Sequence, residues 1–112
     1  MLYPTNTNDQ RREKRFSLEL PAQINIGSQL VLNGKLKDIS LKSAFISINT
    51  DSVYFQTNDE IGFTIQNPTG NEKGHIQGLA CISRIAIGAG LAIYFTKMDK
   101  KSEALLKDLL KQ

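Results

Sequence analysis

The stretch FSLELPAQINIGSQ, residues 16–29, decides the fold class of this chain. Apolar side chains occupy every second position from residue 16 to residue 26, and polar residues or proline stand between them. Such alternation is typical of a β-strand with one buried face. Pro21 cannot donate a ladder hydrogen bond, so a strand edge or a bulge is expected there. The Gly-Ser pair near the end predicts a tight hairpin turn.

Further strand signals follow at short spacing, separated by turn residues. A glycine inside the second predicted strand, Gly34, favours a bend or a bulge. About six strands of this length indicate an all-β protein, either a barrel or a sandwich. The later segments are residues 29–37, DISLKSAFISI (38–48), DEIGFTIQN (59–67), 75–87 and LAIYF (91–95).

The end of the chain has a different period. DKKSEALLKDLLKQ, residues 99–112, carries four leucines at the i, i+1, i+4 and i+5 spacing of one helical face. We expect an α-helix over residues 100–111, with Asp99 or Ser102 as its N-cap. Because so short an amphipathic helix is marginal alone, its leucines should dock on the barrel or on a partner.

Length and composition restrict the class of protein. A chain of 112 residues fits one domain with a modest core. The lone cysteine, Cys81, excludes an internal disulfide and a cysteine-rich zinc site, which favours a reducing compartment. No segment has the apolar length of a signal peptide or of a membrane-spanning helix. We therefore expect a cytoplasmic protein without membrane insertion, with a flexible segment at residues 1–10.

Few residues in the sequence suggest a catalytic site. The only histidine, His75, has no accompanying cluster of cysteines or carboxylates, so a metal site is not expected. Cys81 lies among aliphatic residues and suits a core position better than a nucleophile. Gly88 and Gly90 do not join a strand to a helix, as a phosphate-cradling loop requires. We expect no enzyme activity, no cofactor and no metal.

Two short polar patterns stand out from this background. RREKR, residues 11–15, holds four of the 14 lysines and arginines just before the first strand. The arginine fork suits phosphates and guanine edges, although a charge run of this kind is more often a solvated surface. DISLKS, residues 38–43, follows the second strand, and it also fits an ordinary β-turn. A net charge of only +3 suits a small anionic ligand better than nucleic acid.

Together the two patterns resemble the motifs of the PilZ domain family, the bacterial receptors for cyclic di-GMP. The family's R-x-x-x-R matches Arg11 to Arg15, and its D-x-S-x-x-G matches Asp38 and Ser40, with Ser43 in place of glycine. The resemblance covers nearly the whole chain. It implies a six-stranded antiparallel β-barrel with a C-terminal α-helix. The implied domain, residues 11–112, comprises a basic arm (11–15), a barrel (16–98) and the helix (100–111).

The resemblance also implies which residues bind the ligand. The basic arm would fold over it, with Arg11 and Arg15 contacting guanine edges and phosphates and Arg12 adding a phosphate contact. Asp38 and Ser40 would hydrogen-bond guanine and the ribose-phosphate from the barrel side, since a carboxylate accepts from guanine N1–H and N2–H. The expected ligand-binding set is Arg11, Arg12, Arg15, Asp38, Ser40, Ser43 and Arg84.

Two members of that set have more than one interpretation. Arg84, in the fifth predicted strand, fits either the rim of the ligand site or an ordinary exposed strand position. Ser43 costs roughly 1–2 kcal/mol if the family's glycine serves a positive φ. Its hydroxymethyl would crowd the ligand if that glycine serves close approach. Otherwise serine is a tolerated small residue able to donate a hydrogen bond.

Three functions follow from these patterns. The first is a cyclic di-GMP receptor that signals to an effector protein of motility, adhesion or polysaccharide machinery. The alternative is a PilZ-fold adaptor that binds proteins, through its leucine face, and not the nucleotide. A nucleic-acid-binding barrel is a weaker third, because tryptophan is absent and several phenylalanines fall at core positions. Whether the ligand binds as a monomer or as an intercalated dimer, and the oligomeric state, stay open.

Overall fold

Six antiparallel strands close into one barrel, which confirms the fold class that the resemblance implied. The computed structural model describes residues 15–27, 29–50, 55–66 and 75–111. The expected flexible segment at residues 1–10, and the arm residues Arg11 and Arg12, lie outside the described residues. Around the barrel the strand order is β1-β2-β3-β6-β5-β4, and β4 pairs with β1. The strands are β1 (Phe16–Ile26), β2 (Leu30–Ile39), β3 (Ser43–Ser47), β4 (Glu60–Ile65), β5 (Ile76–Ala86) and β6 (Gly90–Met98).

The inward faces of the strands form a single apolar core. In β3, for example, Ala44 and Ile46 are buried, and the residues on either side of them are half-buried. The rings of Phe63 and Phe95 meet inside with centroids 4.9 Å apart. Branched aliphatic and aromatic side chains of this kind pack well on a pleated surface. The outward-facing positions are therefore the ones available for a site.

Pro21 lies inside β1, at the end of one ladder. Its carbonyl accepts from the Gln66 amide at 3.0 Å, and the β1–β4 pairing begins one residue later, at Ala22 and Ile65. The N–H and C=O of one strand residue point the same way, so the proline nitrogen faces the region beyond β4. The proline nitrogen lacks the hydrogen that would complete the pair with Gln66, so the β1–β4 ladder ends here. The barrel is closed, so this position is the end of a ladder and not an edge strand.

The prediction of a bulge at Gly34 is wrong in its position. The β1–β2 pairing is regular there, and the β2–β3 register shifts between Leu36 and Asp38. Gly34 serves a close approach instead, because a Cβ at this residue would collide with the backbone oxygen of Ser47 on β3.

An α-helix, α1 (Lys100–Leu110), follows β6 and begins with Asp99 as its N-cap. The Asp99 carboxylate accepts from the Ser102 backbone N–H at 2.7 Å. That backbone hydrogen bond, helped by the Ser102 side chain, lowers the pKa of Asp99 because it favours the charged carboxylate. No helix in the described ranges combines the length and apolarity needed to cross a bilayer.

The helix packs against the barrel with its leucine face. Leu106 is buried, and Leu105, Leu109 and Leu110 pack against the same core. Ser102 joins the two elements, since its buried hydroxyl accepts from the Gln77 amide at 3.0 Å and donates to the His75 carbonyl. The leucines were expected to dock either on the barrel or on a partner, and the structure shows them docked on the barrel.

Candidate functional site

Four residues on four neighbouring strands form a row across the outside of the barrel. Asp38 on β2 pairs with Phe45 on β3, and Phe45 pairs with Ala92 on β6. Ala92 in turn pairs with Arg84 on β5. Residues directly opposite each other in a sheet have Cβ atoms about 5 Å apart. The topology therefore brings a carboxylate, an aromatic ring and a guanidinium into one line.

A β-bulge turns Asp38 to the outside. Leu36 is fully buried, and strict alternation would send the side chain two residues later into the core as well. The β2–β3 register shift inserts an extra residue, Lys37, so that Asp38 points outward while Ile39 is buried. Bulges re-aim side chains in this way near functional sites.

A second bulge, in β5, turns Arg84 to the outside. Ile82 is fully buried and pairs with Ile93, but the next pair is Arg84 with Ala92, so β5 has one residue more than β6 here. Ser83 and Arg84 are consequently both exposed. The Ser83 hydroxyl donates to the Ala92 carbonyl at 3.1 Å. The structure places Arg84 on the outer surface of the barrel, where it lines the same cavity as Asp38. Both interpretations of Arg84 require such a position, so its contact with a ligand stays a prediction.

The Arg84 guanidinium lies over the ring of Phe45, with its carbon 5.9 Å from the ring centroid. These two residues are two strands apart, and the small side chain of Ala92 between them leaves the space for the approach. A cation–π contact of this kind contributes roughly 0.5–1 kcal/mol at an exposed site. It presents a flat cationic and aromatic surface next to Asp38.

Arg15, the last residue of the basic arm, closes the other end of the row. Its Nε donates to Asp38 Oδ1 at 3.1 Å, and its Nη2 donates to the same oxygen. Its Nη1 donates to the Ser43 hydroxyl at 2.6 Å. The two motifs that resemble a ligand site therefore meet through direct side-chain contacts.

Ser40 holds the turn between β2 and β3. Its side chain is fully buried, and its hydroxyl accepts from the backbone N–H groups of Ser43 at 3.0 Å and Lys42 at 3.1 Å. Its own amide donates to the Ser43 carbonyl at 2.8 Å. This is the β-turn role expected of a serine at such a position. The predicted contact between Ser40 and a ligand stays a prediction.

Ser43 occupies an ordinary strand position. It is the first residue of β3 and pairs with Tyr94. Among the described residues, Asn58 is the only one other than glycine with a positive φ. Serine therefore causes no left-handed strain at this position, and the interpretation that requires a positive φ does not apply to this chain.

A cavity of about 520 Å³ lies over the row. Arg15, Asp38, Ser43 and Arg84 line it, and these are four of the seven predicted site residues. Arg11 and Arg12 lie outside the described residues, and Ser40 supports the turn from below. Sequence reasoning did not identify the remaining lining residues, which are Ala44, Phe45, Ser83, Ala92 and Ile93.

Phe45 is the missed residue that the sequence signalled best. It stands two positions after Ser43, and period-two alternation places both on one face of β3. Ala92 and Ser83 gave no signal, because their places depend on cross-strand pairing and on a bulge. Among the described residues no group of three or more His, Cys, Asp or Glu side chains could hold a metal ion.

Two lysines of β2, the strand that carries Asp38, pair with Glu19 on β1. Lys37 donates to Glu19 Oε2 at 2.6 Å, and Lys35 lies 3.9 Å from the other carboxylate oxygen of Glu19. The hydrogen bond from Lys37 and the charges of both lysines lower the pKa of Glu19. In the described part of the chain, the cations that line the cavity are thus Arg15 and Arg84.

The chain is similar to known proteins in its sequence pattern and in its fold. The family model described as PilZ domain matches residues 9–112. A comparison with curated protein sequences found no match. One similar solved structure is the PilZ domain with c-di-GMP of YcgR from Escherichia coli, which is 17% identical with a TM-score of 0.72. The match covers 91% of this chain and 89% of that one.

Two further solved structures share the fold. The inhibitor of motility MotI/DgrA from Bacillus subtilis is 18% identical with a TM-score of 0.71, over 91% of this chain. This chain spans only 50% of that protein's length. The PilZ domain of CeSA from a cellulose-synthesizing bacterium is 15% identical with a TM-score of 0.65, over 87% of this chain and 94% of that one. At these identities the similarity shows the fold alone.

Proposed function

We propose that this chain, which belongs to the PilZ domain family, is a receptor for cyclic di-GMP that has no enzyme activity and signals to a partner protein. The observation that carries the proposal is the row Asp38–Phe45–Ala92–Arg84, with Arg15 hydrogen-bonded to Asp38 at its end. It lines an open cavity with an outward-facing carboxylate, two guanidiniums and an aromatic ring. The domain of YcgR, which shares the fold, is recorded with c-di-GMP.

Asp38 supplies the specificity in this proposal. A carboxylate accepts from both N1–H and N2–H of guanine, and adenine has no such pair of donors. Because the bulge in β2 aims Asp38 into the cavity, its oxygens are within reach of a base that lies there. Asp38 should therefore discriminate guanine from adenine.

The two guanidiniums and the ring supply affinity. Arginine pairs with phosphate oxygens in a bidentate way and also stacks on flat rings. Phe45 with Arg84 above it offers a surface on which a purine can stack. Arg15, which lines the cavity at the opposite end of the row, would pair with a phosphate. Ser40 would act mainly by holding the turn that positions Asp38 and Ser43.

The basic arm supplies the signal. In the proposal Arg11 and Arg12 bind the ligand from above, so that the arm becomes ordered over the barrel. Ordering changes the surface shape and the charge that a partner protein meets. The effector belongs by this proposal to motility, adhesion or polysaccharide machinery. Relatives of the same fold include an inhibitor of motility and a domain from a cellulose-synthesizing bacterium.

Calorimetry with an Arg15→Ala variant tests the proposal. Loss of a charge-assisted contact to the ligand should weaken cyclic di-GMP binding by at least about tenfold. Lys35→Ala is the matched control, since it removes one positive charge from an exposed position on β2 that does not line the cavity. Equal affinities of the two variants would show that Arg15 makes no net contribution to binding. If the unmodified protein gives no binding heat, the adaptor alternative is favoured.

A further inference from the structure

We propose that Ser43 is an affinity-determining residue, whose hydroxyl holds Arg15 in a closed position that the ligand has to open. The proposal rests on the proposed function, since it concerns affinity for that same ligand. The barrel holds three nitrogen donors of Arg15. Nε and Nη2 donate to Asp38 Oδ1, and Nη1 donates to Ser43 Oγ at 2.6 Å.

In the closed position, Arg15 occupies the Asp38 oxygen that guanine needs as an acceptor. A carboxylate oxygen has two lone pairs, and Arg15 directs two N–H groups at Oδ1 of Asp38. Guanine would use N1–H and N2–H together, one on each carboxylate oxygen. Arg15 must therefore release Oδ1, at least in part, before Asp38 can take the base in this way. Ligand binding and the Arg15–Asp38 pair compete.

Ser43 shifts this competition toward the closed position. Its hydroxyl adds a third hydrogen bond to the same guanidinium. The hydroxyl is itself held, because Ser43 is a strand residue and its Oγ lies 3.2 Å from the Ser40 hydroxyl. The family motif has glycine at this position, which offers no side-chain acceptor. The additional hold on Arg15 is thus a property of this chain.

This role differs from the two that the sequence left open. A serine that crowds the ligand acts through its Cβ and hydroxyl together, and a serine that donates to the ligand increases affinity. In the closed position the hydroxyl accepts from Arg15, so its removal should increase affinity. The three roles predict different orders of affinity for substitutions at a single residue.

Calorimetric titration of cyclic di-GMP into four proteins separates these roles. They are the unmodified chain, Ser43→Ala, Ser43→Gly and Ser43→Thr. Because this hydrogen bond is exposed and its acceptor is neutral, the ordinary net factor of about two to ten applies, so Ser43→Ala and Ser43→Gly should both bind about two- to tenfold more tightly. Ser43→Thr retains the hydroxyl and should keep the affinity of the unmodified protein.

Other outcomes overturn the proposal. Weaker binding by Ser43→Ala would make Ser43 a ligand contact. Binding that strengthens from Ser43→Ala to Ser43→Gly and weakens in Ser43→Thr would indicate crowding by the side chain. Equal affinities of all four proteins would leave the proposed function standing and remove the role of Ser43. If none of the four proteins binds, the proposed function itself fails, and the role in affinity fails with it.

A second measurement examines the closed position without ligand. Nuclear magnetic resonance of the arginine side chains reports rotation about the Nε–Cζ bond. This rotation should be slow in Arg15, because its Nη1 and Nη2 are held by different residues. Arg84 is the internal control, since it has a cation–π contact and no hydrogen bond within the described residues. Ser43→Ala should accelerate the rotation in Arg15 only. Equal rates for the two arginines in the unmodified protein would contradict a closed position.

Discussion

The guanidinium of Arg15 and the carboxylate of Asp38 are joined by two hydrogen bonds to one oxygen, although 23 residues separate them in sequence. Arg15 stands directly before β1, and Asp38 lies at the bulge of β2. The Ser17–Asp38 pairing between these strands brings them together. A basic arm and a polar turn thereby become two parts of one site.

Asp38→Asn should lose most of the binding of cyclic di-GMP and most of the preference for guanine over adenine dinucleotides. The amide retains one acceptor but replaces the other with a donor, so the pair of guanine donors loses a partner. A loss of about 10- to 100-fold is expected for a charge-assisted bond of about 1.5–3 kcal/mol. Titration with cyclic di-GMP and cyclic di-AMP measures both changes.

Glu19→Gln is the control for Asp38→Asn. It removes an equal charge from an exposed ion pair on β1 that does not line the cavity. Its affinity should stay close to that of the unmodified protein. A similar loss in both variants would show that net charge, and not the contact of Asp38 with guanine, is responsible.

Arg84→Ala should reduce affinity by roughly tenfold while the melting temperature stays nearly unchanged. The guanidinium is exposed, so its cation–π contact with Phe45 contributes little to folding. Its loss removes both a stacking surface and a cation from the cavity. Calorimetry together with thermal unfolding checks the two parts, and unchanged affinity would place Arg84 outside the site.

Ala92→Leu should block the cavity without changing the fold. Ala92 lies on the outer face of β6 between Phe45 and Arg84, and its small side chain leaves the gap that a ligand would enter. A leucine there should weaken binding by about tenfold or more, because its side chain would occupy space that the ligand needs and more than one ligand contact would be lost. Thr96→Leu, on an exposed position of the same strand, is the matched control. Equal binding by both would argue against this cavity.

The N-cap of α1 should make stability depend on pH. Because the pKa of Asp99 is lowered in the folded protein, its charged form stabilises the fold above the pKa of the unfolded chain. That contribution is lost as the pH falls through the folded-state pKa. Asp99→Asn retains an acceptor without the titration. The quantity to compare is the melting temperature of the unmodified protein minus that of Asp99→Asn. This difference should decrease as the pH falls below about 4.

Glu19 also has a lowered pKa, but it is present in both proteins and cancels from this difference. A difference that stays constant from neutral pH down to acid conditions would contradict the capping role of the Asp99 charge. Circular dichroism at a series of pH values provides the measurement.

Alternation in the sequence predicted the strands well, because the pattern of buried residues along β1 and β3 follows the period of two. It could not distinguish a barrel from a sandwich, since closure depends on the β1–β4 pairing and not on any single strand. The motif resemblance supplied that choice. The leucine spacing located the helix, but capping by Asp99 in preference to Ser102 depends on the docking of Ser102 against β5.

The site was harder to predict than the fold, because it depends on bulges and on the pairing between strands. Asp38 and Arg84 face outward because each follows an extra residue that breaks the period of two. A bulge leaves no composition signal of its own, and the bulge expected at Gly34 was wrong in its position. The gap above Ala92 likewise exists only once four strands are in register.

The most direct test of the proposed function is a calorimetric titration of the unmodified protein with cyclic di-GMP at moderate salt, with GTP and GMP as controls. The proposed function predicts saturable binding of cyclic di-GMP that is far tighter than that of either control. The binding should also weaken as salt is added, because opposite charges are paired in a partly exposed site. Absence of binding heat with cyclic di-GMP, or equal binding of all three nucleotides, would contradict it.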